Sequence, residues 1–402
     1  MKSFNIVRSI YFLLLVLLLV FEFFSMQTLV LEEGSYYAQI VYLLVFALAV
    51  FLLVTNKRVS SNFFLKLFTF WMIYIILRFV TSTTGHDSMV AFFRYTWYCS
   101  CFIVAYIAGR QVENREKWLC IFMFILLLIA AFYVYQNLVV TIGFVDLESI
   151  TRQTNIIFWS LCLIPFAFLL NNQTWQVAIL SFETILVLIT MKRSALVAMA
   201  LILVLFVFSV FSKNNKLSKT KQWVSRVWII VITVIVVSQF SQKFDSLFDN
   251  NMTRMEQIED DQGSGRVVIW GHALEGLSNS NPLEFIFGHG VASTMETIRH
   301  TSCHNDFLTL LLEFGIVGAI LYVLFIVKVI KRVLYTRKRD NQLFYSYSSL
   351  LILLLVIGGV GDLFTCYTYL GFMMIILAVL ELRLETELFS SRISNKTMAQ
   401  AV

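Results

Sequence analysis

The sequence predicts an all-α polytopic membrane protein with about 12 transmembrane helices and one large loop on the outer side. Three observations predict it: 59% of the 402 residues are hydrophobic, only 14% are charged, and the apolar residues are gathered into long runs. Soluble domains average about 45–50% apolar and about 25% charged residues, so this composition excludes a soluble globular protein. The first apolar run follows Lys2 and Arg8 with no small-residue cleavage site before Glu32, so we expect a retained helix rather than a signal peptide.

The apolar runs set the number of helices. With about 20 apolar residues needed for each crossing, the pattern predicts twelve spans, at residues 9–24, 38–54, 63–80, 89–107, 118–139, 155–170, 175–191, 194–211, 227–240, 306–327, 343–361 and 363–382. The chain is thereby divided into residues 1–240 with helices 1–9, the loop 241–303, and residues 304–402 with helices 10–12 and a tail.

The basic residues predict the orientation. If the N-terminus lies in the cytoplasm, 21 of the 31 Lys and Arg fall in loops and tails on that side, seven on the opposite side and three within spans. This asymmetry follows the positive-inside rule and predicts that both termini are cytoplasmic and that the loop 241–303 is periplasmic. The net charge of +6 therefore reflects topology and gives no indication of nucleic-acid binding.

The large loop has its own organisation. Its residues Val267, Trp270, Leu274 and Leu277 recur at helical spacing and predict a short amphipathic helix. The segment SNSNP, which ends at Pro282, predicts the end of that helix, and FGHG at 287–290 predicts a tight glycine turn. A loop of this length with its own pattern is typical of functional rather than simple connecting segments.

The cysteines and acids predict no metal site. The six cysteines form no CxxC pair and lie mostly in apolar runs, where we expect buried small hydrophobic residues. His300, Cys303 and His304 lack the HExxH spacing, and the adjacent acids at 260–261 are typical of a solvated turn. We therefore expect neither a metal nor another cofactor.

Polar residues that break the span pattern indicate where the chemistry lies. Lys192 and Arg193 separate two spans at the outer face, Arg266 lies in the outer loop, and His304 lies where that loop returns to the membrane. The topology predicts that these residues meet at one membrane boundary. Each also has a structural interpretation: the arginines as lipid anchors or local ion pairs, and His304 as a structural residue.

The two residues that follow His304 favour a structural role. Asn305 is a typical helix cap, and Asp306 suits the positive end of a helix that begins there.

The combination nevertheless fits one reaction. Arginine offers a rigid fork of donors that matches phosphate oxygens, and two arginines at a lipid boundary suit a diphosphate whose tail stays in the membrane. Imidazole can accept a proton from an attacking hydroxyl near neutral pH. This predicts transfer of a group from a lipid diphosphate to an acceptor hydroxyl.

A transporter or flippase is the non-enzyme alternative. Charged residues in or near spans can line a pathway, and the chain has five of them: Glu22, Lys66, Arg78, Arg94 and Glu183. Against transport, the spans show no matched pair of interrupted helices and no inverted repeat.

The motifs of the second half resemble those of a known family. SGR at 264–266 followed by IW, FGHG at 287–290, HNDFLTLLLEFGIVGAILYVL from His304, and KRSAL from Lys192 resemble the O-antigen ligase/polymerase family of bacterial inner-membrane glycosyltransferases. The resemblance implies a GT-C-like helical fold and a metal-independent, inverting transfer on the periplasmic side.

The resemblance also implies roles for individual residues. Arg193 and Arg266, with Lys192, would bind the donor diphosphate, and His304 would activate or orient the acceptor hydroxyl. Asp306 is a candidate for orienting His304, and Gly288 and Gly290 would let the loop backbone approach the site.

The partners implied are an undecaprenyl-diphosphate-linked glycan donor, an acceptor and membrane lipids, with a chain-length regulator and a flippase as candidate protein partners. A polymerase would transfer the growing chain to a new lipid-linked repeat unit of O-antigen or capsule, whereas a ligase would transfer it to lipid A–core. The HND motif and the phenylalanine-rich composition favour the polymerase.

Overall fold

The structure is a computed structural model that describes residues 6–30, 35–56, 62–81, 86–144, 156–190, 192–212, 266–298, 303–361, 363 and 367–400. In these ranges every regular element is a helix, which confirms the predicted all-α class. The helices are α1 Ile6–Val30, α2 Ser35–Thr55, α3 Phe63–Val80, α4 His86–Gly109, α5 Arg115–Phe144, α6 Ile156–Leu161, α7 Ile164–Ala167, α8 Gln173–Thr190, α9 Arg193–Ser212, α10 Arg266–Ser278, α11 Pro282–Phe287, α12 Thr294–Ile298, α13 Asp306–Thr336, α14 Asn341–Val360 and α15 Tyr367–Gln400.

Several of these helices are suited to a membrane. Within the described residues, Phe63–Val80, Asp306–Thr336 and Asn341–Val360 are long and apolar enough to cross a bilayer. Shorter apolar helical stretches occur at Ile6–Val20, Gln39–Thr55, Gln173–Leu188 and Ser194–Ser209. The protein is therefore a helical membrane protein, while the predicted number of twelve spans stays a prediction. The span at 227–240 lies outside the described residues.

One predicted span has a different form. Residues 155–170 are not one helix but two short ones, α6 and α7, separated by a turn at 162–163. Pro165 lies in the first turn of α7. Because proline has no backbone N–H to donate to the preceding turn, a helix continuing from α6 would break at this residue.

The helices group into two compact units, Met1–Gln136 with Cys366–Val402, and Asn137–Thr365. In the first unit α4 is the central helix and packs against α1, α2, α3 and α15. Its second half, from Trp97 to Ala108, is almost completely buried. Gly371 on α15 lies so close to the Trp97 ring that a side chain there would collide with the indole nitrogen, which is the close approach that small residues permit between membrane helices.

A polar network ties three helices of the first unit together. Asn62, the cap of α3, donates to Glu381 at 2.8 Å and to Glu385 at 3.1 Å. Arg110 donates to Glu385 at 2.7 Å and to the hydroxyl of Tyr106 at 2.7 Å, and that hydroxyl in turn bonds to Glu385. The residues that end α4, precede α3 and lie far along α15 are thus at one end of this unit, the end that the predicted topology assigns to the cytoplasm.

The second unit is organised around α13 and α14. These two helices pack on each other; α9 and α7 pack on α14, whereas α10, α11 and α12 pack on α13. The helix α10 buries Ile269 and Ala273 in a small core with Ile298, Cys303 and Leu312.

The predicted apolar face of α10 is confirmed only in part: Leu277 packs against this core and Trp270 is half-buried. Val267 and Leu274 are exposed, and the buried face is formed by Ile269 and Ala273 instead. The reason is close packing: the next turn on from Ala273 carries Gly276, where a Cβ would collide with the side chain of Thr297. The small residue at position 276 therefore lets α10 approach the neighbouring helix α12 closely.

The long helix α13 is broken at Gly315, which has the non-helical angles φ 65° and ψ −163°. A Cβ placed on Gly358 of α14 would lie 2.6 Å from Asp306 Oδ2 and 3.0 Å from Tyr322 Oη. In a straight helix these two residues would be ~24 Å apart along the axis, too far for both side chains to reach one point. The break at Gly315 therefore folds the half-helix 306–314 toward the half-helix 316–336.

Candidate functional site

The segment 303–306 is anchored by Asn305, the residue that caps α13. Its backbone is extended, with φ −158° and ψ 114°, and its side-chain oxygen accepts a hydrogen bond from the N–H of Leu308 at 3.0 Å. The cap interpretation of Asn305 is therefore confirmed. Its side-chain nitrogen donates to the carbonyl of Gly359 at 2.9 Å, so the same side chain fixes the start of α13 to the end of α14.

His304 has a left-handed backbone, with φ 48°. For a residue with a Cβ such a conformation costs of the order of 1–3 kcal/mol and persists only where the surroundings enforce it. Here the neighbours do so: the N–H of Cys303 donates to Thr309 Oγ1 at 3.1 Å, and Trp270 Nε1 donates to the carbonyl of Cys303 at 2.9 Å. The imidazole of His304 is half-buried and projects from a backbone that is held on both sides.

Asp306 is fully buried at the start of α13. Its carboxylate lies against α14, next to Gly358 and the hydroxyl of Tyr322. This places it at the helix N-terminus, where a negative charge is stabilised by the helix dipole. Its predicted role in orienting His304 stays a prediction.

Arg266 is the first residue of α10 and is half-buried. Trp270 lies four positions further on, and residues at this spacing share one face of a helix. Because Trp270 donates to Cys303, the residue before His304, Arg266 lies about one helical turn from the point at which α10 contacts the His304 segment.

Lys192 and Arg193 lie at the start of α9. Arg193 is its first residue, and the N–H of Leu196 donates to the carbonyl of Lys192 at 2.9 Å. The helix α9 packs against α14, to which Asn305 is bonded. Arg193 therefore stands at a helix N-terminus with Lys192 directly before it, where the N–H groups and the helix dipole favour anions. Whether the three positions converge on one ligand stays a prediction.

The glycine turn at 287–290 packs into the break of α13. Gly288 and Gly290 have φ values of 84° and 114°, and a Cβ on Gly288 would collide with the carbonyl of Glu313. Because Gly315 interrupts the helix, carbonyls of the preceding turn lose their helical partners, and the turn supplies new ones. His289 N donates to Leu312 O at 2.9 Å, and Gly290 N donates to Glu313 O at 3.1 Å.

Side chains around this turn complete the polar surroundings of α13. Glu313 is buried and accepts a hydrogen bond from the hydroxyl of Thr294 at 2.9 Å. The ring of His289 bonds to the hydroxyl of Ser280 at 2.7 Å. The sequence does not predict these contacts, or those of Trp270 and Thr309 with Cys303, because each contact joins positions that no local pattern relates.

The described parts of the chain hold no group of three or more His, Cys, Asp or Glu able to bind a metal ion. Of the cysteines in those parts, Cys99, Cys101, Cys162 and Cys303 are buried free thiols, as expected, and Cys120 is partly exposed. Cys366 lies outside the described residues.

A helical membrane protein with a histidine on a constrained backbone at the start of a long apolar helix is the class that these observations define. Residues 176–323 match the family model described as O-antigen ligase. This range contains all the predicted site residues and confirms the resemblance to the O-antigen ligase/polymerase family. No curated protein matches the chain.

Proposed function

We propose that the protein is a polymerase that joins undecaprenyl-diphosphate-linked oligosaccharide repeat units into a surface polysaccharide on the periplasmic side of the bacterial inner membrane. The family supports glycan transfer of the O-antigen ligase type. The observation that carries the proposal is the segment 303–306, where His304 is held on a left-handed backbone between the contacts of Trp270 and Asn305. A strained backbone that is enforced from both sides is typical of functional sites.

The proposed reaction is an inverting displacement. The acceptor hydroxyl attacks the anomeric carbon of the donor sugar, and the bond from that carbon to the diphosphate oxygen breaks as the new glycosidic bond forms. The hydroxyl proton passes to the imidazole of His304, and undecaprenyl diphosphate leaves. The guanidinium groups of Arg193 and Arg266, with the ammonium of Lys192, stabilise the charge that develops on the diphosphate.

Packing of α9 on α14 supports this assignment. In the predicted topology these two helices run antiparallel, so the start of α9 lies at the same end as the end of α14. That end carries Gly359, which bonds to Asn305. Arg193 and His304 would then lie at one end of the second unit, and α10 would bring Arg266 to the same end.

The central test separates the imidazole of His304 from its backbone. His304→Ala keeps the left-handed strain, whereas His304→Gly relieves it. Both variants should insert normally and lose long-chain glycan on a gel of surface polysaccharide, because both lack the proton acceptor. His272→Ala, at an exposed position on α10, is the matched control and should leave the ladder unchanged. Normal ladders in both His304 variants would refute the proposed role.

The arginines are tested in the same assay. Arg266→Lys keeps the charge but loses the donor fork, so it should shorten or weaken the ladder, and Arg266→Ala should abolish it. Arg193→Ala should also abolish it. Full-length ladders from both alanine variants would rule out a shared diphosphate site.

Deletion of the protein in its host distinguishes the acceptors. Core bearing a single repeat unit indicates a polymerase, whereas bare core with accumulated lipid-linked polymer indicates a ligase. An unchanged ladder with altered uptake of a solute would favour a transporter and overturn both enzyme proposals.

A further inference from the structure

The short helix α11 exposes an unusual amount of apolar surface. Four of its six side chains form what we term the α11 apolar face, Leu283, Phe285, Ile286 and Phe287, of which Leu283 is 68% exposed and the others 41–44%. Isolated exposed apolar residues are ordinary, but a contiguous group of this kind indicates an interaction surface.

The position of α11 along α13 indicates what covers this face. Its last residues pack against the break: a Cβ on Gly315 would collide with the carbonyl of Ile286 and the N–H of Gly288. Counting from Gly315 along the half-helix 316–336, the basic residues at the far end begin at Lys328 and extend to Arg337. These lie ~20 to ~33 Å away at 1.5 Å per residue, and the hydrocarbon core of a bilayer is about 30 Å thick. The end of α11 therefore lies near the opposite boundary of the hydrocarbon core, between about 3 Å beyond that boundary and about 10 Å inside it.

Exposed apolar residues of α13 begin close to α11 along the chain. Ile320 and Val323 of α13 are exposed, and they begin little more than one turn beyond Gly315. In a helix that crosses a membrane, exposed apolar side chains of this kind face lipid. Exposed apolar side chains therefore occur both on this span and on α11, which packs at the break of the same helix.

The backbone N–H groups at the start of α11 all have hydrogen-bond partners within the protein. Pro282 has no N–H, and Asn281 accepts from the N–H groups of Leu283 at 3.0 Å and Glu284 at 2.9 Å through its side chain, and from Phe285 at 2.9 Å through its carbonyl. Glu284, the one charged residue of α11, accepts from the N–H of Asn281 at 2.9 Å. The N–H groups that a helix start leaves open are thus satisfied without water, as lipid requires.

We propose that the α11 apolar face is inserted into the lipid at the boundary opposite the basic end of α13. The sequence has no Lys or Arg between Arg266 and Arg299, so insertion depends on apolar contact rather than on attraction to anionic headgroups. The inserted α11 apolar face holds the glycine turn at 287–290 and the break of α13 at the depth of the lipid surface. The inference concerns a lipid surface and holds whichever glycan is transferred.

The test measures lipid exposure by spin labels on the full chain in zwitterionic phosphatidylcholine nanodiscs. Nitroxides at Leu283→Cys and Ile286→Cys are compared with one at Val323→Cys on the span and one at Glu275→Cys on the exposed side of α10, after subtraction of the signal from the native cysteines. Both α11 labels should collide more often with oxygen than with the aqueous reagent NiEDDA, as at Val323, and the order should reverse at Glu275. The α11 ratios should not change between low and high salt.

Two results would overturn the proposal. Collision with NiEDDA at both α11 positions equal to that at Glu275 would place the face in water. Protection from both reagents would show that protein, rather than lipid, covers it. All four substituted residues are exposed or lipid-facing, so the variants should fold and each result bears directly on the inference.

Discussion

Each unit has an asparagine that caps one helix and also bonds to a second helix, but the two asparagines bond to different kinds of group. Asn62 caps α3 and Asn305 caps α13, and each side-chain NH₂ reaches a helix far away in the sequence. Asn62 donates to the carboxylates of Glu381 and Glu385, whereas Asn305 donates to the backbone carbonyl of Gly359. The first unit therefore joins its helix ends with charged side chains, and the second joins them with neutral backbone groups.

The two units also differ in how their charged side chains take part in contacts between helices. In the first unit the cations and carboxylates are engaged with one another, as in the pair of Arg110 and Glu385 at 2.7 Å. In the second unit glycines and backbone amides provide several of the contacts between elements, as in the bonds of His289 and Gly290 to α13.

The largest effect on stability is expected at Gly315, where two segments of backbone are in direct contact. Gly315→Ala would place a Cβ against the carbonyl of Ile286 and the N–H of Gly288, at backbone angles that only glycine adopts readily. We expect a loss of roughly 3–5 kcal/mol in the free energy of unfolding, from backbone strain together with overpacking. Thermal or chaotrope unfolding in detergent measures it.

The matched control for this change is Gly271→Ala on α10, where a Cβ meets nothing within 4 Å. There alanine should be neutral or stabilise by about 0.5–1 kcal/mol, because it restricts the unfolded chain. Equal stability of the Gly315→Ala and Gly271→Ala proteins would show that the break in α13 is not held by the glycine turn.

Alanine substitution of the two asparagines should reduce stability by smaller amounts, which differ between the two positions. Asn62→Ala removes a cap and two hydrogen bonds to carboxylates, and should cost roughly 2–3 kcal/mol, whereas Asn305→Ala removes a cap and one neutral hydrogen bond and should cost roughly 1–2 kcal/mol. Glycan transfer should respond in the opposite order, because Asn305 positions His304 and Asn62 does not. A chain-length ladder from each variant, at matched protein level, measures it; a stronger loss of transfer in Asn62→Ala would contradict the division between the units.

The sequence predicts the parts of this site that local chemistry determines. The cap at Asn305 and the glycine turn at 287–290 follow from residue types that favour one backbone geometry, and both are present. The break at Gly315 was not predicted, because a single glycine in an apolar run fits a continuous helix as well. The buried face of α10 was predicted only in part, because the large apolar residues Val267 and Leu274 resemble a core stripe but are exposed, while Ile269 and Ala273 are buried.

Contacts between distant positions could not be predicted at all. The bond from Trp270 to Cys303 spans 33 residues and that from Asn305 to Gly359 spans 54. Such pairs depend on how helices pack, and one sequence carries no local pattern for them. The resemblance to the family, in contrast, follows from short motifs and their order in the chain, and the match of residues 176–323 confirms it.

The smallest effect concerns the two neighbouring glycines at the end of α14. A Cβ on Gly358 would lie 2.6 Å from Asp306 Oδ2 and 3.0 Å from Tyr322 Oη, whereas a Cβ on Gly359 meets nothing within 4 Å. Gly358→Ala should cost about 1 kcal/mol, because both contacts are to the ends of side chains that can shift, and Gly359→Ala should be neutral or slightly stabilising. If Asp306 orients His304, the displaced carboxylate should lower the rate of glycan transfer in Gly358→Ala while Gly359→Ala keeps the normal rate. Equal rates in the two variants would show that Asp306 acts only as a buried helix-start residue, and would leave His304 positioned by backbone contacts alone.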